Sequence, residues 1–410
     1  MDAPAFCLTS RPGPVPRRCV REDSEVRITS ATTFTVGNPW KNWVFVRLET
    51  DEGVHGVGEG TANAFAETIA AAIHELEDTY IGLDPTQVEL LAERMHRDVY
   101  TDGGQIHRAA LAAIEIACWD ILGKSVGKPV HALMGGRVRD RVRVYANGWY
   151  QVERTPEAMA AAARAVVEQG YTALKFDPFG HTSRVVGPDE EALAIDLIEA
   201  VRDAIGSRVD LLVEGHCRFG VAQAIRFAHR MAPSNPLWFE EPVPHQDPDS
   251  VVEVALHSPV PIATGESFAS PKNFAALLRR GGVRIWQPDP MHLGGLWPTR
   301  SVIAMADASD IAVAPHSAAG PICSAVCLQL AACSPNLFIQ ELFDEFNQGW
   351  TREIVDHHLE TDAEGFLSVS DRPGIGIDLD WERLAHHPAR RGNRIRLFER
   401  GWELRRSVDD

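Results

Sequence analysis

Five residues that could bind a metal ion or transfer a proton recur at nearly constant spacing in the second half of the chain. They are Glu214 in LLVEGH, Glu240 in LWFEEP, Glu266 in IATGES, Asp289 in IWQPDP and His316 in IAVAPHS. Neighbouring members are 23 to 27 residues apart, which is close to one strand–helix unit in a (β/α)₈ barrel of about 250 residues. Such a barrel carries its catalytic residues at the C-terminal ends of its strands. The spacing therefore predicts this barrel, with the five side chains at one mouth.

The three glutamates of the series indicate a metal site. Carboxylates at the same ends of consecutive strands converge, and they raise one another's pKa unless a cation lies among them. Oxygen ligands alone suit Mg²⁺, which keeps positions open for water or substrate. Taken singly, Glu240 could belong to a solvated rim and Glu266 to an ion pair, but the shared register with Glu214 favours the metal site.

Asp289 and His316 are the next two members, and together they suggest a base. A carboxylate bonded to one imidazole nitrogen fixes the tautomer and raises the basicity of the other nitrogen. A single histidine at a strand end is more often only hydrogen-bonded. The preceding Asp289 favours a His316–Asp289 pair that removes a proton.

Two further pairs of residues have the two-residue spacing that places side chains on one face of a strand. Lys175 and Asp177 stand in ALKFDP, with Lys175 39 residues before Glu214, and His216 follows Glu214 by two. This arrangement places Lys175 and His216 at the mouth, on the side opposite His316. Lys175 could be a second base or an electrostatic clamp, or it could only pair with Asp177. His216 could donate a proton, or it could only order its loop.

The composition is that of an ordinary globular protein and disfavours several partners. The 410 residues are 45% hydrophobic and 24% charged, with a formal net charge of −17. That charge argues against nucleic acid and anionic membranes as partners, although a bound dication could still attract an anionic substrate. No run reaches the roughly 20 apolar residues of a membrane span, and no signal peptide is evident. Seven irregularly spaced cysteines favour a reducing, cytoplasmic location.

The first third of the chain, residues 1–137, is predicted to form an α+β unit. Residues 1–24, rich in Pro and Arg, are expected to be a poorly ordered lead-in. The alternating pattern from Val26 to Gly60 predicts a strand meander, and helices are expected at 64–78, 85–97 and 105–124. A meander followed by helices is typical of an α+β domain.

Residues 138–365 are predicted to form the barrel. Strand-like and helical segments alternate here, from VRVYANG (142–148) to a last strand at 337–340, and the eighth helix is expected near 349–359. Strict alternation calls for a parallel sheet, and eight units close it. Residues 366–410 fall outside the barrel and are expected to return to the N-terminal unit.

The order Lys, Glu, Glu, Glu, Asp, His, Glu on successive strands, from Lys175 to Glu341, resembles the mandelate racemase subgroup of the enolase superfamily. The segments HALMGG, EEP, TGES, PDPMHLGG, APHS and PGIGI extend the resemblance along nearly the whole chain. It implies a TIM-type (β/α)-barrel with an α+β N-terminal capping domain that the C-terminal tail completes. It also implies a Lys or His base acting with Mg²⁺. The implied metal ligands are Glu214, Glu240 and Glu266, the implied dyad is His316–Asp289, and Glu341 is the carboxylate of the eighth strand.

Two motifs depart from the racemase pattern and favour a dehydratase. The Lys-x-Lys of the racemase's second strand is here Lys-Phe-Asp, beginning at Lys175, which weakens a two-base racemase. The third strand carries Glu214-x-His216, which is similar to the Asp-x-His of galactonate and mannonate dehydratases and supplies an acid for a departing hydroxide. Together they imply Mg-dependent dehydration of an aldonic or aldaric sugar acid to a 2-keto-3-deoxy acid, with His316 as base and Lys175 as the second candidate.

Other functions stay open at the level of the sequence. An epimerase, racemase or cycloisomerase would use the same metal and bases, and an inactive barrel that only binds a ligand is a rival of another class. A zinc hydrolase is disfavoured because the histidines that could bind zinc are not grouped.

The substrate is expected to contact the capping loops, residues 31–43 with Trp40 and residues 56–65. The remaining predicted substrate contacts are Asn147, Trp149, Tyr150 and Asp177. Glu341 would hydrogen-bond to the substrate carboxylate if protonated, or otherwise orient a neighbour. The resemblance also implies a homo-oligomer, from dimer to octamer.

Overall fold

The computed structural model describes residues 26–347 and 349–404, so the predicted lead-in lies outside the described residues. The predicted meander is confirmed as a three-stranded antiparallel sheet in the order β1-β2-β3. Its strands are β1 (Ile28–Gly37), β2 (Asn42–Thr50) and β3 (His55–Glu59). Val44, Val46 and Leu48 alternate along β2 and are completely buried. The period-2 apolar pattern thus marks the core face of this sheet.

Five helices follow the sheet, and the fourth joins the N-terminal unit to the barrel. They are α1 (Ala66–Glu75), α2 (Glu77–Tyr80), α3 (Val88–Asp98), α4 (Gly104–Ser125) and α5 (Val130–Leu133). Helix α4 is buried on nearly all sides, as a helix is when it packs between two layers. A Cβ added to Gly58 of β3 would lie 1.8 Å from the carbonyl oxygen of Ala113. Glycine at this position therefore allows the close packing of β3 on α4.

Eight parallel strands form the barrel. They are β4 (Arg141–Ala146), β5 (Ala173–Phe176), β6 (Asp210–Glu214), β7 (Trp238–Glu240), β8 (Ile262–Thr264), β9 (Ile285–Trp286), β10 (Ala312–Val313) and β11 (Gln340–Leu342). The helices between them are α6 (Pro156–Glu168), α7 (Pro188–Ile205), α8 (Val221–Met231), α9 (Pro248–His257), α10 (Pro271–Arg280), α11 (Pro290–Leu293), α12 (Leu296–Asp307) and α13 (Pro321–Ala332). The strands are ordered β10-β9-β8-β7-β6-β5-β4-β11, and a parallel bridge between Val313 and Leu337 closes the ring.

The side chains inside the barrel show why the acidic residues face its mouth. Leu212 of β6 and Trp238 of β7 belong to a small buried cluster in the barrel interior. Because side chains alternate along a strand, Glu214 and Glu240, two residues further on, share the inward face. They lie at the C-terminal ends of their strands and so project toward the mouth.

The prediction of an eighth helix near 349–359 is wrong. Within the described residues this segment contains only a 3₁₀ turn, Gly349–Arg352. The backbone that follows pairs in an extended conformation with the tail: the amide of Asp380 donates to the carbonyl of Ile354 and the amide of Asp356 to that of Asp378. These residues therefore satisfy their backbone groups by strand-like pairing instead of helix.

The tail packs against both parts of the molecule. Strand β12 (Phe366–Ser368) pairs with β4 of the barrel, and a short helix, α14 (Trp381–Leu384), follows. The amide of Ile375 donates to Asp120 of α4 at 3.0 Å, and His55 of β3 lies 2.7 Å from Asp378. None of the helices in the described ranges combines the length and apolar character that crossing a bilayer requires.

Candidate active site

Glu214, Glu240 and Glu266 meet at the C-terminal end of the barrel. Glu214 ends β6, Glu240 ends β7, and Glu266 follows β8 by two residues. One carboxylate oxygen from each lies within 4.8 Å of the others, and all three residues are buried. The structure therefore brings together the three ligands that the sequence predicts.

The electrostatics of this cluster fit a divalent cation. Burial raises the pKa of Glu214 to about 7, of Glu240 to about 8 and of Glu266 to about 7, and neighbouring carboxylates add to the shift. Oε2 of Glu214 is buried without a hydrogen bond in the described part of the chain. Three converging carboxylates that resist ionisation, offering only oxygen ligands, suit a hard ion such as Mg²⁺.

Lys175 is a buried cation that contacts two of these glutamates and Glu341. Its Nζ contacts Glu240 and lies 3.0 Å from Oε1 of Glu341 and 3.3 Å from Oε2 of Glu214. Burial alone would lower the pKa of Lys175, but these carboxylates raise it well above its ordinary value. These contacts fit the electrostatic clamp among the roles predicted for Lys175, because three carboxylates surround its ammonium group.

His316 and Asp289 form the predicted pair. Nδ1 of His316 lies 2.6 Å from Oδ2 of Asp289, and its Nε2 lies 3.3 Å from Oε2 of Glu266. Burial lowers the pKa of His316, but Glu266, Glu341 and Asp289 together raise it to about 10. A cation among the glutamates would offset the charge of Glu266 and make the neutral imidazole accessible near neutral pH. On the other face, the ring of His292 stacks on His316 with centroids 6.1 Å apart.

His216 belongs to a second histidine–carboxylate pair, which the sequence did not predict. Nδ1 of His216 lies 2.6 Å from Oδ2 of Asp177, and Arg218 donates to Oδ1 of the same carboxylate at 2.8 Å. Burial would raise the pKa of Asp177, but Arg218 and His216 hold it below its ordinary value. His216 lies past the end of β6 with φ 47°, so a left-handed turn and not strand alternation brings it to the mouth.

Glu341 is bound on several sides and orients its neighbours. It accepts hydrogen bonds from Nδ2 of Asn147 and from the amide of Ser317, both at 2.7 Å. Burial would raise its pKa, but Lys175 and His316 lower it to about 2. Of the two roles predicted for Glu341, the ionised residue that orients its neighbours fits the geometry.

A cavity lies above the glutamates, between the barrel mouth and the N-terminal unit. Trp40, Asn147 and Tyr150 line it, as the sequence predicts for substrate contacts. Two predicted contacts lie elsewhere. Asp177 is completely buried and binds His216, which itself lines the cavity. The indole of Trp149 is turned to the backbone, where it donates to the carbonyl of Lys175 at 2.7 Å.

Cys217, Glu241 and His245 form a second close group of possible metal ligands nearby. The carboxylate of Glu241 already accepts hydrogen bonds from Thr264, Ser267, the amide of Gly265 and the thiol of Cys217. These four donors satisfy the lone pairs of a carboxylate. Glu241 therefore ties the segments after β6, β7 and β8 together.

Comparison with known proteins places the chain in a family. The family model "Mandelate racemase / muconate lactonizing enzyme, N-terminal domain" matches residues 20–135, and the model "Enolase C-terminal domain-like" matches residues 157–383, more than half of the chain. The chain belongs to the mandelate racemase/muconate lactonizing enzyme family. The predicted resemblance to the enolase superfamily is thereby confirmed.

Members of the family that resemble the chain include named dehydratases. A D-galactonate dehydratase from Variovorax paradoxus is 35% identical over 367 residues, which cover 88% of this chain and 94% of the relative. A D-gluconate dehydratase from Thermoproteus tenax is 34% identical over 352 residues, which cover 85% and 71%. The solved structure of a mandelate racemase/muconate lactonizing enzyme from Jannaschia sp. CCS1 matches with a TM-score of 0.83 at 33% identity, covering 90% of this chain and 99% of that one.

Two buried residues of the mandelate racemase/muconate lactonizing enzyme N-terminal domain were not singled out from the sequence: Lys41, which lines the cavity, and Glu59, which binds the start of α13. Lys41 lines the cavity, is buried, and donates to Oδ1 of Asn63 at 2.9 Å; within the described ranges no carboxylate lies at ion-pair distance from it. Glu59 accepts from the amides of Gly320 and Cys323 at the start of α13. The sequence signal was their position in the two predicted capping loops, but loop position alone does not tell which side chain points inward.

Proposed function

We propose that this protein is a hydro-lyase that dehydrates an aldonic acid to a 2-keto-3-deoxy acid. The observation that carries the proposal is the presence of two histidine–carboxylate pairs, His316–Asp289 and His216–Asp177, on strands four apart in an eight-stranded ring. Strands four apart lie across the barrel from each other. One pair can therefore take a proton from one side of a bound substrate while the other gives a proton from the opposite side.

The first half of the reaction uses His316. Because Asp289 binds Nδ1, the neutral ring presents the lone pair of Nε2, which removes the proton from the carbon next to the substrate carboxylate. The electron pair of the broken C–H bond moves into the carboxylate to form an ene-diolate. A magnesium ion held by Glu214, Glu240 and Glu266 would supply positive charge for that carboxylate, and the ammonium group of Lys175 adds to it.

The second half uses His216. The ene-diolate electrons return to form the double bond between the α- and β-carbons, the β-carbon–oxygen bond breaks, and the leaving hydroxide takes a proton from His216 to become water. Asp177 holds Nδ1 of His216, so that Nε2 carries the transferable proton, and Arg218 keeps Asp177 ionised. The resulting enol then tautomerises to the keto acid.

The relatives' names and the cavity wall support an aldonic acid as substrate. Both named relatives act on aldonic acids, D-galactonate and D-gluconate, whose ends remote from the carboxylate are uncharged. The wall formed by the capping loop, the tail and the loop after β11 includes Trp40, Phe343, Ile395 and Leu397. A second carboxylate desolvated against these side chains would be costly.

A screen of five- and six-carbon aldonic and aldaric acids with Mg²⁺ tests the proposal. The expected result is formation of a semicarbazide-reactive keto acid from at least one aldonic acid. The His316→Asn variant should form none. If the wild-type protein instead converts a substrate to an isomer with no keto group, epimerisation or cycloisomerisation replaces dehydration. If no acid in the screen reacts, the proposed function is wrong.

A further inference from the structure

The described tail reaches the active site beyond the part of the chain that the family model matches. That match ends at residue 383, whereas residues 390–404 run along the cavity. Two asparagines of the capping loop fix this segment: Asn42 donates to the carbonyl of Arg390 at 2.8 Å, and Asn393 donates to the carbonyl of Asn38 at 2.6 Å. The tail segment is therefore tied to the same loop that carries Trp40.

Trp402, in the 3₁₀ turn Trp402–Leu404, lies against the His216–Asp177 pair. Its ring centroid is 5.7 Å from that of His216 in an edge-on arrangement of 89°, and the guanidinium carbon of Arg218 lies 5.7 Å from the Trp402 ring. The indole N–H donates to the carbonyl of Gly180 at 3.0 Å. One side chain thus contacts both His216 and the arginine that binds Asp177, and a hydrogen bond fixes its own orientation.

The orientation of the His216 ring depends on packing by a neighbour such as Trp402. Its ring makes one hydrogen bond in the described structure, from Nδ1 to Asp177, and its side chain is 21% exposed at the cavity. An imidazole held at one atom can still swing about that bond, which moves Nε2 away from the leaving oxygen. Packing by a large rigid ring removes this freedom and keeps water from the proton to be transferred.

We propose that Trp402 is a positioning residue for His216, through which the C-terminal tail serves the elimination half of the reaction and not the proton-abstraction half. The inference rests on the proposed function, because it takes His216 as the acid. The asymmetry has a structural basis: His316 is packed by His292 of α11, which belongs to the barrel domain and not to the tail. Loss of Trp402 leaves that contact in place.

The partition of the ene-diolate tests this inference. In D₂O, an ene-diolate that fails to eliminate can return to substrate carrying deuterium at the α-carbon, so NMR gives the ratio of deuterated recovered substrate to keto acid. This ratio does not depend on how much of a variant is folded, because both products come from active molecules. A role limited to folding would leave the ratio unchanged.

Trp402→Ala should raise the ratio at least about 10-fold, since general acids contribute about 10²–10⁴-fold to rate. Trp402→Phe keeps a ring beside His216 but loses the N–H donor to Gly180, and it should give a smaller rise. Phe398→Ala, which removes an exposed ring from the same tail, is the matched control and should keep the wild-type ratio.

An unchanged ratio in both Trp402 variants, or an equal rise in the Phe398 control, overturns the inference. Failure of the proposed function gives a different result, because the wild-type protein would then form no keto acid from any sugar acid. The two failures can therefore be told apart in the same set of samples.

Discussion

Nδ1 of His216 and Oδ2 of Asp177 lie 2.6 Å apart, the same separation that joins Nδ1 of His316 to Oδ2 of Asp289. Each carboxylate binds Nδ1 and leaves Nε2 as the nitrogen available for proton transfer. The two pairs differ in surroundings, because Arg218 also binds Asp177 whereas Glu266 lies 3.3 Å from Nε2 of His316. An arginine therefore shares the carboxylate of the first pair, whereas a glutamate of the predicted metal site flanks the second.

Replacing the two histidines should separate the halves of the reaction. His216→Asn should lower dehydration by about 10²- to 10⁴-fold while deuterium still enters the α-carbon of recovered substrate, because His316 is intact. His316→Asn should abolish both. NMR of substrate and product in D₂O measures both rates. Equal loss of exchange and dehydration in His216→Asn would contradict the assignment of His216 as the acid.

Much of the fold could be predicted from the sequence because it rests on local periodicity. Alternating apolar residues mark β2, and the recurring strand–helix unit marks the barrel. The eighth helix failed because a long-range pairing decides that segment: the backbone at Ile354 and Asp356 bonds to residues 378–380 of the tail. A pattern within one segment cannot reveal a competing partner that is distant in sequence.

The site residues at strand ends could be predicted from the sequence, whereas the site residues on loops could not. Glu214, Glu240 and Glu266 lie at equivalent positions near the ends of neighbouring parallel strands, so the fold brings them close together. Arg218 and Lys41 lie on loops, whose side-chain directions depend on backbone conformations that spacing does not encode. The same limit explains Asp177, which was expected to touch substrate but binds His216.

Magnesium binding should be linked to pH through the glutamate cluster. A carboxyl whose pKa is higher in the folded protein than in the unfolded chain stabilises folding at low pH, and that contribution is lost as the pH rises through the folded value. Glu214, Glu240 and Glu266 have pKa values raised to about 7 to 8. The metal-free protein should therefore become less stable as the pH rises to about 8. Added Mg²⁺ should increase the free energy of unfolding most at the upper end of this pH range.

Thermal unfolding with EDTA and with Mg²⁺, at pH 6, 7 and 8, measures this linkage. The increase in Tm on adding Mg²⁺ should grow with pH, because fewer protons must be displaced from the ligands. Glu240→Gln should lose the increase at every pH. A Mg²⁺ effect that is larger at pH 6 than at pH 8 would argue against the cluster as the binding site.

Lys41 is expected to bind an oxygen of the substrate. Its buried ammonium group faces the cavity with Asn63 as its hydrogen-bond acceptor, and an ammonium has three donors. Lys41→Met should weaken substrate binding about 10- to 100-fold, as for loss of a hydrogen bond from a charged group worth about 1.5–3 kcal/mol. Binding is best measured by calorimetry in the His316→Asn background, where substrate is not consumed. Lys272→Met, at an exposed position, is the control; equal affinities in both variants would exclude the contact.

His107 should make the protein sensitive to mild acid. It lies in the first turns of α4, is 5% exposed, and neither ring nitrogen has a hydrogen-bond partner in the described structure. Burial, with the charge of Arg108 nearby, lowers its pKa to about 4. In the unfolded chain a histidine binds its proton near pH 6.5. Between that pH and about 4, the unfolded state therefore carries a proton on His107 that the folded state does not.

The resulting stability change has a defined sign and window. Folding should lose about 3 kcal/mol from this group as the pH falls from 6.5 to 4, because each pKa unit is worth about 1.36 kcal/mol. His107→Leu removes the titration and should flatten the dependence of Tm on pH in this window relative to wild type. His229→Leu, which removes an exposed histidine from α8, should keep the wild-type slope. If His107→Leu is as acid-sensitive as wild type, the proton uptake occurs elsewhere and the buried, unpaired state of His107 is not what limits stability in mild acid.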